Sequence, residues 1–202
     1  MIRISVKRKI SSSVTALFRC LICGFKPSSI AEITPSLVSS SFFGRRSAAG
    51  VSNINFGYFA AGGIGATLYS RVDRLNFSND TAGTSIRGPL SSTRYSHSST
   101  GNSNFGYFGG GYGPSVSIVD RIDYSNDTTS ASIRGSLSQG RQSSAATGNS
   151  NFGYFGGGFN NGPPIVSVNR IDYSNDLSIT SVRGSLSLAR GRLAATTNAA
   201  SS

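Results

Sequence analysis

The sequence predicts an all-β fold made of repeated units of four short strands, and three observations lead to it. Segments such as "NFGYF" and "SIVDRIDY" alternate two kinds of side chain and then stop at Gly or at "SND", as short strands joined by turns do. No segment keeps a helical period for three turns. The unit recurs, because Phe56, Phe105 and Phe152 open identical "FGYF" strings that are 49 and 47 residues apart.

The composition excludes a large helical core and locates the charge. Of the 202 residues, 37% are hydrophobic and 25 are Gly, which favours many turns over long apolar elements. The formal net charge is +11, and residues 1–46 supply +7 of it, from eight Lys or Arg against the single acid Glu32. The other eleven Arg and seven Asp leave +4. The charge therefore does not favour nucleic-acid binding by the repeats, and the basic head is the better candidate for it.

Residues 1–43 form a basic segment outside the repeats. Basic side chains precede the apolar stretch "VTALFRCLICGF", an order found in targeting peptides, and a disordered basic arm has the same composition. Arg19 interrupts this stretch, which is also shorter than the roughly 20 residues of a membrane span, so no transmembrane segment is predicted. Cys20 and Cys23 lack further metal ligands nearby and are interpreted as two apolar residues.

The first two strands of the unit differ in side-chain size. The first consists of small residues, as in "RQSSAAT", and follows a recurrent arginine: Arg45, Arg94, Arg141 and Arg190. The second is the aromatic "FGYF", whose rings we expect in the wedge between neighbouring sheets: Phe105, Tyr107, Phe152 and Tyr154. It ends at a Gly pair, which allows a positive φ and a close approach of backbones. The pairs are Gly62 with Gly63, Gly110 with Gly111, and Gly157 with Gly158.

The third and fourth strands each carry another recurrent arginine. "RLNFSND" and two copies of "RIDYSND" end in an Asx-rich turn and begin at Arg74, Arg121 and Arg170. The fourth strand, "SIRG" or "SVRG", contains Arg87, Arg134 and Arg183. We expect these arginines to pair with Asp side chains in neighbouring turns. The units run over about 45–91, 92–138 and 139–187, and residues 188–202 begin a fourth.

Four short strands in 47 to 49 residues match one β-propeller blade, and the unit resembles the kelch-type repeat. That pattern has an Arg followed three residues later by a His, a strand ending in a double Gly, and a Tyr-Asp-bearing strand. Arg94 with His97, the Gly pairs and "RIDYSND" match it, whereas Ile86, Ile133 and Val182 stand near the place of the family's Trp. The resemblance implies a partial kelch-like propeller of about three four-stranded blades, with the small-residue strand innermost.

A second resemblance concerns the near-identity of the copies, which indicates recent duplication. The "GYFGG" and "DYSND" repeats are similar to those of predicted virus and phage structural proteins. This resemblance implies a virion-associated or tail-associated protein, whereas the basic head favours a targeted one. The sequence leaves the localisation open between them.

Three blades do not close a ring, because propellers have about four to eight. The chain is therefore part of a larger propeller or associates with itself, and two chains would give six blades. We interpret it as a non-enzymatic protein-binding or structural module that presents variable loops at residues 64–70, 112–117 and 159–167. The candidate contact residues are Tyr112, Pro114, Phe159, Asn160 and Asn161.

Two other functions stay open at this point. "NFGYFGGG" is also typical of Gly/aromatic low-complexity proteins that self-associate or bind RNA, although such a tract does not explain the alternation in "SIVDRIDY". A fragment of a carbohydrate-binding or carbohydrate-active propeller would need further blades.

The "DYSND" turns are weak calcium candidates. Their side chains follow the i, i+2, i+4 spacing of calcium loops: Asp123, Ser125, Asp127, Asp172, Ser174 and Asp176. The turn Gly and the distal acid of such loops are missing, so we favour Asx turns that bind their own backbone. No cofactor or catalytic residue is predicted, because the chain has one His, no acidic pair outside these turns and no nucleotide fingerprint.

Overall fold

The computed structural model describes residues 44–196, so the predictions for residues 1–43 and 197–202 lie outside the described residues. The described part is all-β and contains three four-stranded antiparallel sheets, here termed blades 1, 2 and 3. In each blade consecutive strands pair as a meander. No helix in residues 44–196 is both long and apolar enough to cross a membrane.

The strands fall where the repeat predicts them. Blade 1 contains β1 (Ala49–Ser52), β2 (Phe56–Ile64), β3 (Thr67–Asn76) and β4 (Ser85–Arg87). Blade 2 contains β5 (Ser98–Gly101), β6 (Phe105–Gly109), β7 (Val119–Asp123) and β8 (Ser132–Arg134). Blade 3 contains β9 (Ala145–Gly148), β10 (Phe152–Gly156), β11 (Ser167–Asp172) and β12 (Ser181–Ser185). A short 3₁₀ turn follows the third strand of each blade: Phe77–Asn79, Tyr124–Asn126 and Tyr173–Asn175.

An Asn side chain forms the turn between the first and second strands. The Oδ1 of Asn102 accepts hydrogen bonds from the backbone N of Asn104 and Phe105, at 3.0 and 2.9 Å. Asn53 and Asn149 make the same pair of bonds in the other two blades. This local bonding explains why "NSN" precedes the aromatic strand, since an Asx turn fixes the hairpin register.

The blades pack face to face, and both faces of the aromatic strand take part. Tyr107 points from blade 2 toward blade 3, where its ring stacks on Tyr173 with centroids 4.8 Å apart. Phe108, the next residue, points the other way and is fully buried in the core with blade 1. Phe155 occupies the corresponding place between blades 2 and 3. Alternate side chains of a strand point to opposite faces, so a strand between two blades buries both sets.

The expected wedge is therefore only partly correct. Tyr107 fills it, and the half-buried Phe105 packs against the same core. Phe152 is half-buried at the start of its strand, and an arginine guanidinium lies 4.2 Å from the ring centre of each of these two Phe residues. Tyr154, on the last blade, remains half-buried. The rings that the sequence analysis missed are Phe108 and Phe155, because a two-residue alternation does not reveal that both sheet faces are covered.

The Gly pair in blade 1 is shifted by one residue from its predicted place. Ala61 and Gly62 adopt positive φ values of 54° and 95°, as Gly110 and Gly111 do at 71° and 119°. Gly62 N donates to Arg94 O of the next blade at 2.9 Å, and Gly111 N donates to Arg141 O at 2.8 Å. Ala61 takes the place of the first Gly of the pair in a left-handed conformation, which is uncommon for a residue with a side chain. The sequence pattern therefore did not show that Ala61 and Gly62 correspond to Gly110 and Gly111.

The first predicted loop is also shorter than expected. Residues 64–70 lie largely within β2 and β3, which are joined by Gly65 and Ala66 alone. The second and third predicted loops do separate strands, since residues 110–118 and 157–166 connect β6 to β7 and β10 to β11.

Residues 190–196, here termed the stub, lie against blade 3 as a first strand would. Gly158 N donates to Arg190 O at 2.9 Å, which repeats the bonds of Gly62 and Gly111. Arg192 N donates to Ser143 O at 2.7 Å, as Ser143 N does to Ser96 O. The stub thus takes the position of a fourth innermost strand, but it pairs with no second strand in the described part of the chain.

Candidate binding surface

The meander places two kinds of connection at opposite ends of each blade. The links from the second to the third strand lie at one end, here termed the loop end, together with the entry to the first strand. The Asn turns and the 3₁₀ turns lie at the other, the turn end. All five predicted contact residues belong to the loop end, in blades 2 and 3.

Tyr112 in blade 2 is held by Tyr95, which lies just before β5. Its backbone N donates to Tyr95 O at 2.8 Å, and the two rings meet edge to face with centroids 5.4 Å apart. Its side chain remains 38% exposed. Arg46, Leu68 and both tyrosines line a shallow depression of about 200 Å³ here, and Pro114 is exposed in the same loop.

The blade 3 loop divides into an anchor and an exposed tip. Phe159 exchanges backbone hydrogen bonds of 2.9 Å with Gln142, and its ring is half-buried so close to Gly191 that a Cβ there would lie 2.0 Å from it. Asn160 and Asn161 are exposed, and Asn161 has a positive φ of 50°. Phe159 therefore positions the loop, whereas the two Asn side chains face solvent.

The calcium candidates at the turn end divide into two sets with different partners. Asp123 caps its 3₁₀ turn, where it accepts from the backbone N and the hydroxyl of Ser125 at 2.9 and 2.6 Å. Asp172 and Ser174 repeat this arrangement. These bonds lower the pKa of both carboxyls, the Ser hydroxyl acting most strongly.

The other set is buried between blades. Asp127 accepts from the Tyr58 hydroxyl at 2.9 Å and from Arg74 Nη1 at 2.8 Å, both in blade 1, and Arg87 Nε lies 3.5 Å away. Asp176 receives Tyr107, Arg121 and Arg134 of blade 2 in the same way. Burial and the adjoining carboxylate raise the pKa of Tyr58 to about 12. The expected pairing with neighbouring turns is confirmed for these four arginines, whereas Arg170 and Arg183 of blade 3 have no acidic partner in residues 44–196.

The carboxylates among the calcium candidates have other partners within the described residues. The carboxylates of Asp127 and Asp176 are committed to guanidinium groups, and those of Asp123 and Asp172 to Ser. Within residues 44–196, no three His, Cys, Asp or Glu side chains are grouped as metal ligands.

A second arginine series is buried inside each blade, and the sequence analysis did not find its partners. Arg94 is 1% exposed and donates to Asp120 Oδ2 at 2.9 Å, whereas Arg45 is paired with Asp73. The equivalent Arg141 binds Asn169 and backbone carbonyls. Burial without a carboxylate partner lowers the pKa of Arg141 to about 10. The third strands contain "VDR", "VDR" and "VNR", so the sequence shows that blade 3 has Asn where blades 1 and 2 have Asp.

Comparison with known proteins finds no family model and no curated protein that matches this chain.

Proposed function

We propose that the chain is a non-enzymatic repeat module of kelch-like type that binds a protein partner through the loop end of its blades. The observation that carries this proposal is the contrast between framework and loops. The Asn turns, the Tyr stacks and the Arg–Asp contacts repeat between blades, while the links at the loop end differ in length and sequence. Exposed loops on a repeated rigid framework are the usual arrangement of binding surfaces.

The chemistry of the loop end favours a protein ligand. Tyr112, Pro114, Asn160 and Asn161 offer one partly exposed ring, one exposed ring and two amides, and Arg46 lies in the depression beside Tyr112. Tyr and Asn are frequent in protein-binding loops, because they combine contact area with adaptable hydrogen bonding.

Two features argue against the other functions. The only histidine, His97, is 6% exposed, and burial lowers its pKa to about 3, which leaves it neutral and out of reach of a substrate. The rings of Tyr58, Tyr107, Phe108 and Phe155 are fully buried between blades. They are therefore not available to stack on RNA bases, which the low-complexity alternative requires.

A peptide-display selection tests the proposal. The full chain is the bait, and the selected peptides are then titrated against a loop-end variant that carries Tyr112→Ser, Asn160→Ala and Asn161→Gly. We expect at least a tenfold loss of affinity, since Tyr and adaptable polar groups dominate such surfaces.

A turn-end variant, Asn175→Ala with Leu177→Ser, is the matched control, because both side chains are exposed at the opposite end. Peptides that bind the loop-end variant as well as the parent chain would refute the loop end as the binding surface. A selection that enriches no peptide would have the same meaning.

A further inference from the structure

Each contact between two blades has the same parts, and each blade contributes a different half. The earlier blade supplies a Tyr and two arginines, and the later blade supplies an aromatic ring and an Asp from its 3₁₀ turn. The Tyr stacks on that ring and donates to that Asp, as Tyr58 does to Tyr124 and Asp127. Blades 1 and 3 therefore each end in one unused half.

The open face of blade 3 carries the Tyr and arginine half. Tyr154 and Arg170 are half-buried, and Arg183 is exposed. They occupy the positions of Tyr107, Arg121 and Arg134 in the repeat. Neither arginine has an acidic partner in residues 44–196.

The open face of blade 1 carries the complementary half. Phe77 stands at the place of Tyr124 and Tyr173 and is 46% exposed, and Asp80 stands at the place of Asp127 and Asp176. Asp80 is exposed and has no basic partner within the described residues. Phe59, the counterpart of the buried Phe108 and Phe155, is 48% exposed.

The glycines at the ends of the three fourth strands also show that the outer face of blade 3 is open. A Cβ at Gly88 would lie 1.8 Å from Thr129 O of the next blade, and a Cβ at Gly135 would lie 1.7 Å from Ser178 O. Gly184 is the third member of this series, and nothing lies within 4 Å of its Cβ position. Gly88 and Gly135 have to be glycine because the backbone of the next blade leaves no room for a Cβ. Gly184 leaves the same room for the backbone of a further blade.

A groove on blade 3 completes the match. Gly109 in blade 2 lies under the ring of Phe155, and a Cβ there would be 2.6 Å from it. The equivalent Gly156 lines a groove of about 360 Å³ together with Tyr154, Val168 and Leu186. The nearest atoms to a Cβ at Gly156 belong to Val168 and Leu186, at 3.6 and 3.8 Å, so no ring fills this place.

We propose that the open face of blade 3 binds the open face of blade 1 of a second copy of this chain, so that two copies close one six-bladed ring. Phe59 of the second copy enters the groove at Gly156, its Phe77 stacks on Tyr154, and its Asp80 lies between Arg170 and Arg183. Six is the only multiple of three within the four to eight blades of propellers, which fixes the assembly as a dimer. This contact uses the end faces, and it adjoins the loop end only where Gly191 of the stub lies against Phe159.

The stub covers part of this face and has to leave when the second copy binds. It occupies the place that β1 of the second copy would take, and its Leu193 and Ala194 line the groove. β1 is the better-held competitor, because it pairs with four residues of β2 and follows Arg45, which is paired with Asp73. The stub is held to blade 3 by hydrogen bonds that include the one from the Thr147 hydroxyl to Thr196 O, and the Arg190 side chain donates to Ser187 at 3.5 Å. It has no second strand of its own blade in residues 44–196, whereas β1 has β2.

Light scattering on size-exclusion peaks tests the assembly with the full chain and with a chain that ends at residue 189. We expect a mass of twice 21.0 kDa at high concentration, in equilibrium with the single chain. Removal of the stub should lower the dissociation constant at least tenfold, since the competing segment is gone. A single-chain mass for both chains at the highest concentration tested, which is 21.0 kDa for the full chain and less for the shortened one, would overturn the proposal.

Two variants locate the contact. Gly184→Val should abolish the dimer and leave the single chain folded, because the space around Gly184 is open in one copy. Asp80→Lys should raise the dissociation constant at least tenfold through repulsion from Arg170 and Arg183. Gly162→Val is the control, since Gly162 lies in the exposed blade 3 loop away from both faces.

Melting curves at a concentration where all chains are single establish that each variant is folded. A dimer that persists in folded Gly184→Val and Asp80→Lys would show that another surface associates, and it would overturn the proposal. Larger species without a discrete dimer would show that the ends join without closing, and they would overturn the six-bladed ring.

Discussion

The arginine that precedes the first strand has different partners in different blades, so its effect on the free energy of unfolding differs between them. Arg45 and Arg94 have a carboxylate partner, whereas Arg141 is fully buried against the amide of Asn169. A buried cation without an anion is costly, because the surrounding dipoles replace water incompletely. Blade 3 therefore carries a weakness that its neighbours lack.

The variant Asn169→Asp should remove this weakness. We expect the free energy of unfolding to rise by about 1.5 to 3 kcal/mol, the range for a hydrogen bond that involves charged groups. Urea denaturation at pH 7 measures it. Ser138 already lies 2.8 Å from the Asn169 amide nitrogen and can donate to the new carboxylate.

Asp120→Asn is the reverse change in blade 2 and serves as its counterpart. It should lower the free energy of unfolding by a similar amount, because Arg94 would then lack a carboxylate as Arg141 does. Equal effects of the same sign from both variants would contradict the pairing argument.

His97 should make the stability depend on pH. Burial lowers its pKa in the folded chain to about 3, from 6.5 in the unfolded chain, so between these values the unfolded chain binds a proton that the folded chain refuses. The stability contribution is present above pH 6.5 and declines as the pH falls toward 3, by up to about 1.4 kcal/mol per pH unit.

Urea denaturation from pH 7.5 to 4 measures this dependence in the parent chain and in His97→Ser, which installs the residue that blade 3 carries as Ser144. The variant should show a flatter curve below pH 6.5, whatever its stability at pH 7. Parallel curves would mean that His97 is protonated without penalty in the folded chain.

At the scale of elements, the outer end of one blade approaches the turn of the next at a glycine. Gly135 N donates to Asp176 O at 2.8 Å, and the space of a Cβ is filled by Ser178 O. This approach brings Asp176 within reach of Arg121 and Arg134. The "RG" of the fourth strand therefore couples a backbone contact to an ion pair.

Gly135→Ala should disrupt both contacts at once. We expect a loss of roughly 2 kcal/mol or more, because the backbone at Ser178 has to move and the buried ion pair is loosened. Thermal melting followed by circular dichroism measures it, with Gly162→Ala as control, where the nearest atom lies 3.7 Å from the Cβ position. Equal melting temperatures for the two variants would refute the steric argument.

The strands and their order were predictable from the sequence, and several contacts between strands were not. The period placed the second, third and fourth strands of each blade, and the "SND" composition placed the turns. The burial of Phe108 was missed because alternation assigns one face to the core. The Ala61 and Gly62 pair was missed because Ala adopts a conformation that a pattern search reserves for Gly.

The candidate binding surface was predicted less completely. The loops of Tyr112 and Phe159 lie where sequence variation indicated, but the anchoring of Phe159 against Gly191 depends on a contact between distant segments. The partners of Arg94 and Arg141 required the register of the first and third strands, which no single-sequence pattern provides.

At the scale of the whole molecule, the blades behave as interchangeable units, because every internal interface uses the same contacts. Deletion of residues 92–138 should therefore leave a folded two-blade chain. Asp176 would then meet Arg74, Arg87 and Tyr58 of blade 1 as Asp127 does now.

Circular dichroism and amide proton dispersion in NMR measure this outcome. The melting temperature should fall, because one interface is lost and repeat stability is roughly additive. An unfolded product would show that blade 2 makes contacts that blade 3 does not reproduce.

Each blade carries the same two complementary halves on its two sides, and this has a consequence for how such a gene changes. Near-identical coding stretches misalign readily during recombination, and an in-frame gain or loss of 47 or 49 codons would insert or remove a complete blade. The product requires no new interface, since Tyr, Arg, Gly and Asp meet their usual partners at the junction. The number of blades can then change by recombination between generations, while the contacts between neighbouring blades stay the same.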